Sequence, residues 1–224
     1  LRRADGLVVS HQDLDHAGGA RSLLQAIPVG WFASSLPADH AAVQLARQRT
    51  DPIRCVAGQT WTWDGVRFTM LHPSGADYDD AWAKTNDLSC VVRIDSAHGS
   101  ALIAGDIEAK SEAALLRTRR DLLRADVVVV PHHGSRTSST FAFVRAVAPA
   151  LAVIACGYRN RFGHPRPHVV ARYTAVGARV VRTDLEGAIA LTFAEGRRLA
   201  PEFARAQRAR YWLDVPAAQE RPLD

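Results

Sequence analysis

Four side chains that commonly bind metal ions lie within six consecutive positions near the start of the chain. They are His11, Asp13, Asp15 and His16, in the run Ser-His-Gln-Asp-Leu-Asp-His-Ala-Gly-Gly over 10–19. A buried strand that ends in a tight loop can aim His11, Asp13 and Asp15 toward one point, while His16 turns toward a neighbouring point. Imidazole and carboxylate together suit Zn²⁺, Mn²⁺ or iron, and the share of oxygen donors favours harder ions such as Mn²⁺. The run therefore predicts a centre for two divalent metal ions, Mn²⁺ or Zn²⁺.

The alternative interpretation is a solvated loop in which Asp15 caps the following helix, as aspartate often does. That interpretation leaves unexplained why two histidines and two aspartates crowd together directly after an apolar run. We therefore favour metal binding, with Asp15 also a candidate catalytic residue.

Two more apolar runs end in residues of the same kind. Asp106 follows Leu-Ile-Ala-Gly and is a candidate bridging ligand between two ions, while His132 and His133 follow Val-Val-Val-Val-Pro. One of these histidines should bind metal; the other, with Ser135, could hold a phosphate or donate a proton to the leaving oxygen. Our assignment gives His132 to the metal and His133 to catalysis, with Ser135 in catalysis and substrate binding, although the sequence leaves the order of the two histidines open.

A fourth predicted strand leads into the loop Gly-Tyr-Arg-Asn-Arg-Phe-Gly-His-Pro over 157–165. Its His164 is a candidate ligand or substrate-contacting imidazole, and we count it among the candidate catalytic residues. The side chains of Arg159, Asn160 and Arg161 suit phosphate contacts, and the tyrosine or phenylalanine of the loop could stack on a base. An ordinary structural loop is the alternative.

Asn86 precedes another predicted strand, in the run Asn-Asp-Leu-Ser. It could orient a ligand or the substrate, and we assign it to substrate binding. It could equally form an Asx-turn, which asparagine favours.

The elements that must position these residues follow from the periodicity of apolar side chains. Alternation around an Asp-Gly turn predicts a hairpin over 59–71. Further strands are predicted over 7–10, 89–95, 100–104, 127–130, 151–155, 179–182 and 187–193. Helices are predicted over 18–26, 37–48, 107–119, 138–148 and 168–176. Such a mixture predicts a layered α/β sandwich and not a doubly wound dinucleotide fold, and no Gly-rich phosphate loop is present.

Length and composition fit one substantial core. The chain has 224 residues, of which 47% are hydrophobic, and we predict a hydrolase domain over 1–196 followed by a basic tail over 197–224, with a helix over 200–212. The net charge of +5 favours a polyanionic partner, although genome composition could also explain the arginines. No run of 18 apolar residues and no leader is found, so we expect a soluble piece.

The chain has three cysteines, Cys55, Cys90 and Cys156. Their odd number and wide spacing resemble neither a disulfide framework nor a cysteine-based zinc site. We expect three small buried residues, and cysteine usage leaves the compartment open.

The chain resembles the metallo-β-lactamase-like C-terminal domain of the ComEC competence proteins, the bacterial DNA-internalisation channels. The resemblance covers residues 7–193 and rests on five motifs, which are Ser-His-Gln-Asp-Leu-Asp-His-Ala-Gly-Gly, Asn-Asp-Leu-Ser, Ala-Gly-Asp-Ile-Glu, Pro-His-His-Gly-Ser and Asn-Arg-Phe-Gly-His-Pro. Ordinary enzymes of that fold carry His-x-His-x-Asp-His, whereas this chain has Asp13 at the second histidine position, as the ComEC-like branch does.

The resemblance implies an αββα sandwich and a nuclease that degrades the DNA strand that is not imported. It implies a soluble domain of an inner-membrane protein, on the periplasmic or outer face, with single-stranded DNA, the channel region of the full-length protein and other competence proteins as partners. The channel region and the early strands of the fold are absent from this chain, so we expect an N-terminally truncated domain.

The predicted reaction is hydrolysis of a phosphodiester by water that two metal ions activate. In this hypothesis, His11, Asp13 and one histidine of the pair at 132–133 hold the first ion. Asp15 and His16 hold the second, with a further candidate in the 157–165 loop. Two alternatives remain, namely a hydrolase of small lactams or thioesters, which the carboxylate-rich site disfavours, and a non-catalytic DNA-binding or assembly module.

Overall fold

The structure is a computed structural model that describes residues 2–196 and 199–207. Its smaller sheet is built from three parallel strands in the order β1-β2-β3. These are β1 (Leu7–Val9), β2 (Phe32–Ser34) and β3 (Ile53–Arg54). Three short helices connect them, namely α1 (Leu14–Ala17), α2 (Ala20–Ala26) and α3 (Ala41–Ala46).

The larger sheet has seven strands. They are β4 (Thr60–Trp63), β5 (Val66–His72), β6 (Val91–Ser96), β7 (Gly99–Ile103), β8 (Val127–Val129), β9 (Leu151–Ile154) and β10 (Arg179–Arg182). Strands β4 to β7 form an antiparallel meander, and β7 to β10 are parallel neighbours. Because β7 and β8 run in the same direction, their carboxyl ends meet at one edge of the sheet.

The remaining helices follow strands of the larger sheet, except the last of them, which follows a strand of a separate two-stranded sheet. They are α4 (Ala109–Thr118), α5 (Phe141–Val147), α6 (Pro167–Ala175), α7 (Thr183–Glu186) and α8 (Ala204–Gln207). Two short strands, β11 (Ile189–Ala190) and β12 (Glu202–Phe203), form an antiparallel pair of their own.

The alternation of side chains along the strands gives the larger sheet two apolar faces, each with its own cover. Leu102 and Val128 pack against helices α4, α5 and α6, in a core that contains the buried Tyr173. Residues of the opposite face, such as Met70 and Val92, pack against the smaller sheet. Helices α2 and α3 cover the outer face of the smaller sheet. The layers are therefore helix, sheet, sheet and helix, and the predicted αββα sandwich is confirmed.

Most predicted elements lie close to the observed ones, and the exceptions are short. The sequence prediction missed β2 and β3, since two or three residues are too few to show a periodic pattern. The strand predicted over 187–193 is wrong in length, because only Ile189–Ala190 is paired, with β12. The helix predicted over 200–212 is wrong at its start, where the chain forms β12 and then α8, and its positions 208–212 lie outside the described residues.

The prediction of three unpaired cysteines is also wrong, since Cys55 and Cys90 form a disulfide bond and Cys156 is free. Cys55 directly follows β3 and Cys90 directly precedes β6, so the bond ties the smaller sheet to the larger one. The two cysteines are 35 residues apart in the chain. Only the packing of the sheets brings them together, and spacing in the sequence does not reveal it.

Candidate metal centre

Three strand ends from both sheets meet at the candidate centre. The run that holds Asp15 and His16 begins just after β1 in the smaller sheet, while Asp106 and His133 follow the neighbouring parallel strands β7 and β8 in the larger sheet. Ligand atoms of these four residues all lie within 4.8 Å of one another. Residues separated by more than 100 positions are thus brought to one point by the meeting of the sheets.

The four side chains contact one another directly. His16 Nε2 lies 3.1 Å from Asp106 Oδ1, and His133 Nε2 lies 3.4 Å from Asp106 Oδ2 and 3.2 Å from Asp15 Oδ2. Asp106 is buried, whereas Asp15 is largely exposed. Two imidazoles and two carboxylates around a partly buried point form a donor set that suits divalent transition ions.

A backbone carbonyl fixes the orientation of His133. Its Nδ1–H donates to Ala155 O at 2.6 Å, which leaves Nε2 directed at the carboxylates. A hydrogen bond with Asp106 raises the pKa of His133 to about 9. Burial by itself would raise the pKa of Asp106, but hydrogen bonds from His133 and His16 hold it well below its ordinary value.

His11 lies next to this cluster and is almost fully buried. Its Nδ1 is 3.1 Å from Ser10 Oγ and 3.3 Å from Ser89 Oγ, while its Nε2 is buried without a hydrogen-bond partner and lies 3.6 Å from Asp13 Oδ2. An unpartnered buried imidazole nitrogen is costly unless a ligand satisfies it. His11 and Asp13 are therefore placed as a second pair of donors beside the four-residue cluster.

The strand ends meet at Gly105. A Cβ at this position would lie 2.8 Å from Ser89 Cβ and 3.3 Å from Ser10 Cβ, and the backbone has a φ of +55°. Glycine is the residue that tolerates both conditions. The absence of a side chain at Gly105 thus lets the residues that precede β6 and follow β1 approach Asp106.

A family model described as the metallo-beta-lactamase superfamily matches residues 1–158. The chain belongs to the metallo-β-lactamase superfamily. Proteins of this superfamily are generally metal-binding hydrolases.

Curated relatives carry names that refer to competence and recombination. The chain is 36% identical over 221 residues to "Competence protein ComA" of Neisseria gonorrhoeae, and this match covers 96% of this chain and 29% of the relative. It is 33% identical to "Recombination protein 2" of Haemophilus influenzae, over 85% of this chain and 22% of that relative. It is 30% identical to "ComE operon protein 3" of Bacillus subtilis, over 84% of this chain and 24% of that relative. The resemblance to ComEC competence proteins is confirmed. The chain spans less than a third of the length of these relatives.

Solved structures support the fold. A protein described as a metal-dependent hydrolase from Parabacteroides distasonis superposes with a TM-score of 0.51 at 13% identity, covering 82% of this chain and 78% of that protein. A CmlA β-hydroxylase variant superposes with a TM-score of 0.56 at 16% identity, covering 81% of this chain and 43% of that protein. At such low identity, these structures speak for the metallo-β-lactamase fold alone.

The residues of this metallo-β-lactamase domain fit a divalent metal. Asp15, His16, Asp106 and His133 would hold one ion, and the orphaned Nε2 of His11 indicates that a further donor position is prepared next to it. The described residues contain one cluster of this kind, so the two-ion arrangement stays a prediction.

His132, which we assigned to the metal, lies just beside the cluster. Its Nε2 is 4.0 Å from Asp106 Oδ2, and its Nδ1 is 3.4 Å from Glu108 Oε1 and 3.3 Å from Thr137 Oγ1. Both histidines of the pair have positive φ angles, 50° and 53°, and their rings are inclined to each other by 70° with centres 6.3 Å apart. This geometry favours His133 as the ligand and leaves His132 facing the side of the centre.

The other predicted residues lie around this side of the domain. The His164 ring is 5.9 Å from the His132 ring. Asn160 is engaged inside its own loop, where its amide group bonds the backbone of Gly157 and His164. Ser135 is buried, with its hydroxyl 3.1 Å from Thr137 Oγ1.

The remaining three residues predicted to bind substrate have local partners. Asn86 begins a short 3-10 turn, with its Oδ1 3.5 Å from Thr85 Oγ1. Arg159 lies over the Tyr158 ring, and Arg161 over the Phe162 ring. Their roles in substrate binding stay predictions.

Sequence reasoning missed two contributors, Ser89 and Glu108. Ser89 Oγ accepts from the Asp106 backbone N–H at 3.0 Å, and Glu108 Oε1 lies 3.4 Å from His132 Nδ1. Both belong to motifs quoted above, Asn-Asp-Leu-Ser and Ala-Gly-Asp-Ile-Glu, and that was the available signal.

The sequence also gave no sign of a cavity of about 470 Å³ that opens between the sheets beside Asp106 and His133. Its lining includes three aromatic side chains, those of Trp31, Trp61 and Phe68.

Proposed function

We propose that this domain is a metal-dependent phosphodiesterase that cleaves DNA. The observation that carries the proposal is the convergence of Asp15, His16, Asp106 and His133, with ligand atoms within 4.8 Å of one another. The competence names of the relatives support DNA as the substrate in this proposal. The net charge of +5 agrees with a polyanionic substrate.

The side chains of the domain would bind, orient and protonate the substrate. When bound, divalent ions supply Lewis-acid polarisation of the phosphate and lower the pKa of a water molecule. Asp106, between His16 and His133, keeps the donor atoms together. His132 lies beside the centre with Nδ1 directed at Glu108, which suits it to position the leaving oxygen. Arg159 and Arg161 lie in the His164 loop, where they suit contacts with flanking phosphates.

In the cell, we propose that the domain degrades the strand that is not imported during natural transformation. It would act next to the membrane channel region of the full-length protein, on the periplasmic or outer face of the inner membrane, with other competence proteins as possible partners. The Cys55–Cys90 disulfide supports this location, because such bonds persist in oxidising compartments. No helix in residues 2–196 and 199–207 is long and apolar enough to cross a membrane.

The test is incubation of the chain with labelled single-stranded and duplex DNA in Mn²⁺ or Zn²⁺, with a chelator control. We expect cleavage that stops on chelation and is lost in Asp106→Ala. Asp64→Ala, in the hairpin turn between β4 and β5, is the matched control and should cleave like the wild type. DNA binding with no cleavage under any metal would contradict the nuclease and favour a non-catalytic module.

A second candidate function is hydrolysis of a small molecule, such as a lactam or thioester. The aromatic cavity of about 470 Å³ beside Asp106 favours it. Opening of a chromogenic lactam by the metal-loaded chain, with DNA left intact, would support this candidate against the nuclease.

A further inference from the structure

Two large aromatic side chains are exposed in segments next to the candidate centre. Trp82 is 90% exposed and Phe162 is 58% exposed. Tryptophan is highly buried on average in folded proteins. Both residues lie outside the set of candidate metal ligands.

Phe162 is connected to the centre through two histidine rings. Its ring stacks on that of His164 at 5.9 Å with an interplanar angle of 17°. The His164 ring lies 5.9 Å from the ring of His132, which borders the cluster. The guanidinium of Arg161 lies 5.0 Å from the Phe162 ring centre, so a cation accompanies this aromatic face.

Trp82 is connected to the centre from another direction. Its backbone N–H donates to Asp80 Oδ1, and Lys110 Nζ donates to Asp80 Oδ2 at 2.9 Å. On its other side, Lys84 Nζ lies 3.3 Å from Glu108 Oε2. The segment is therefore fixed against the start of α4, close to the ligand strand end, and Trp82 projects from it into solvent.

Both connections end at His132. Glu108 Oε1 is 3.4 Å from His132 Nδ1, and His164 approaches the same ring. His132 thus lies between the two aromatic segments, each of which carries a cationic side chain, Lys84 or Arg161. Aromatic faces alternating with cations are the features by which proteins hold single-stranded nucleic acids.

We propose that Trp82 and Phe162 stack on unpaired bases of a DNA strand, on the two sides of the phosphate that lies at the centre. In a duplex, the faces of the bases are covered by their neighbours, so a base must leave the stack before an aromatic ring can hold it. The pair would therefore make the site select single strands over duplex. The proposal rests on the proposed function for the reaction, but stacking itself needs no cleavage.

The experiment measures binding without turnover. Fluorescence anisotropy of a labelled oligothymidylate is recorded with the full 224-residue chain in a chelator, for wild type, Trp82→Ala, Phe162→Ala and the double variant. Each single variant should bind about ten-fold more weakly, since a stacked base contributes roughly that factor. Phe141→Ala is the matched control, because Phe141 is a comparably exposed aromatic residue paired with Arg145.

Two further probes separate stacking from charge. An abasic strand of equal length should bind the wild type more weakly and lose nothing in either variant, and duplex DNA should also be unaffected. Wild-type affinity for the oligothymidylate in the variants, an equal loss for the abasic strand, or no binding by the wild type would overturn the proposal. If stacking is found while Mn²⁺ gives no cleavage, the proposed function fails and this inference stands.

Discussion

At the scale of single residues, the centre depends on small side chains that hold the ligands in place. The Ser89 hydroxyl accepts from the Asp106 backbone N–H and lies 3.3 Å from His11 Nδ1. One hydroxyl therefore orients two donors from different strand ends. Supporting contacts of this kind commonly set the affinity of a metal site.

Replacing Ser89 should therefore weaken metal binding without unfolding the domain. We expect Ser89→Ala to lower the affinity for Mn²⁺ by about 10- to 100-fold in isothermal titration calorimetry. Ser96→Ala is the control, because Ser96 lies at the other end of β6 and donates to Gly99 O. Equal losses in both variants would mean that Ser89 acts only through general stability.

The two adjacent histidines should differ in the same measurement. His133→Ala should weaken Mn²⁺ binding about ten-fold more than His132→Ala, because the Ala155 carbonyl directs His133 Nε2 into the cluster while His132 faces Glu108. A larger loss in His132→Ala would restore the assignment made from sequence.

The density of ligand-type residues could be predicted from the sequence, and the structure brings Asp15, His16 and Asp106 together. The choice between the two histidines could not be predicted. It depends on positive φ angles at His132 and His133 and on a carbonyl that follows β9. Neither feature has a signal in residue type.

At the scale of elements, Glu112 of α4 supports the start of α5. This fully buried carboxylate accepts from the backbone N–H of Ser139 and, at 2.7 Å, from that of Thr140. It therefore fixes the segment that leads from the turn of His132 and His133 into α5.

Removing this carboxylate leaves two amide groups without an acceptor. We expect Glu112→Ala to lower the free energy of unfolding by about 2–4 kcal/mol, measured by urea denaturation. Glu112→Gln keeps one acceptor oxygen and should lose less. Equal losses would show that packing, and not hydrogen bonding, accounts for the effect.

The last residue of β5 should make stability depend on pH. His72 Nε2–H donates to Asp87 O at 2.7 Å, and burial lowers the pKa of His72, against the opposing effects of that bond, Asp77 and Asp87. The unfolded chain then takes up a proton more readily than the folded one. The free energy of unfolding should fall as pH decreases from about 6.5 toward the lowered pKa. His72→Gln should show a weaker dependence over this window in denaturation series at several pH values.

Elements with clear periodicity, such as the hairpin of β4 and β5, could be predicted because alternation is a local property. The short strands β2 and β3 could not, since their pairing partners are set by the packing of the smaller sheet.

At the scale of the whole molecule, the disulfide ties the smaller sheet to the larger one. Cys90 also donates its backbone N–H to Ser10 O at 2.9 Å, so the disulfide lies close to the run over 10–19 that contains the candidate ligands. We expect Cys55→Ser/Cys90→Ser to lower the free energy of unfolding by about 2–4 kcal/mol. Thermal and urea denaturation check this, with Cys156→Ser as control. A variant as stable as the wild type would mean that apolar packing alone holds the sheets together.

The origin of the four clustered ligands has a mechanical consequence. Asp15 and His16 move with one layer of the sandwich, whereas Asp106 and His133 move with the other. A cation held by all four would therefore link the two sheets, in addition to its role in the reaction. Removing the ion in a reducing buffer would remove this link and the Cys55–Cys90 disulfide together, so that apolar packing alone would hold the two sheets together.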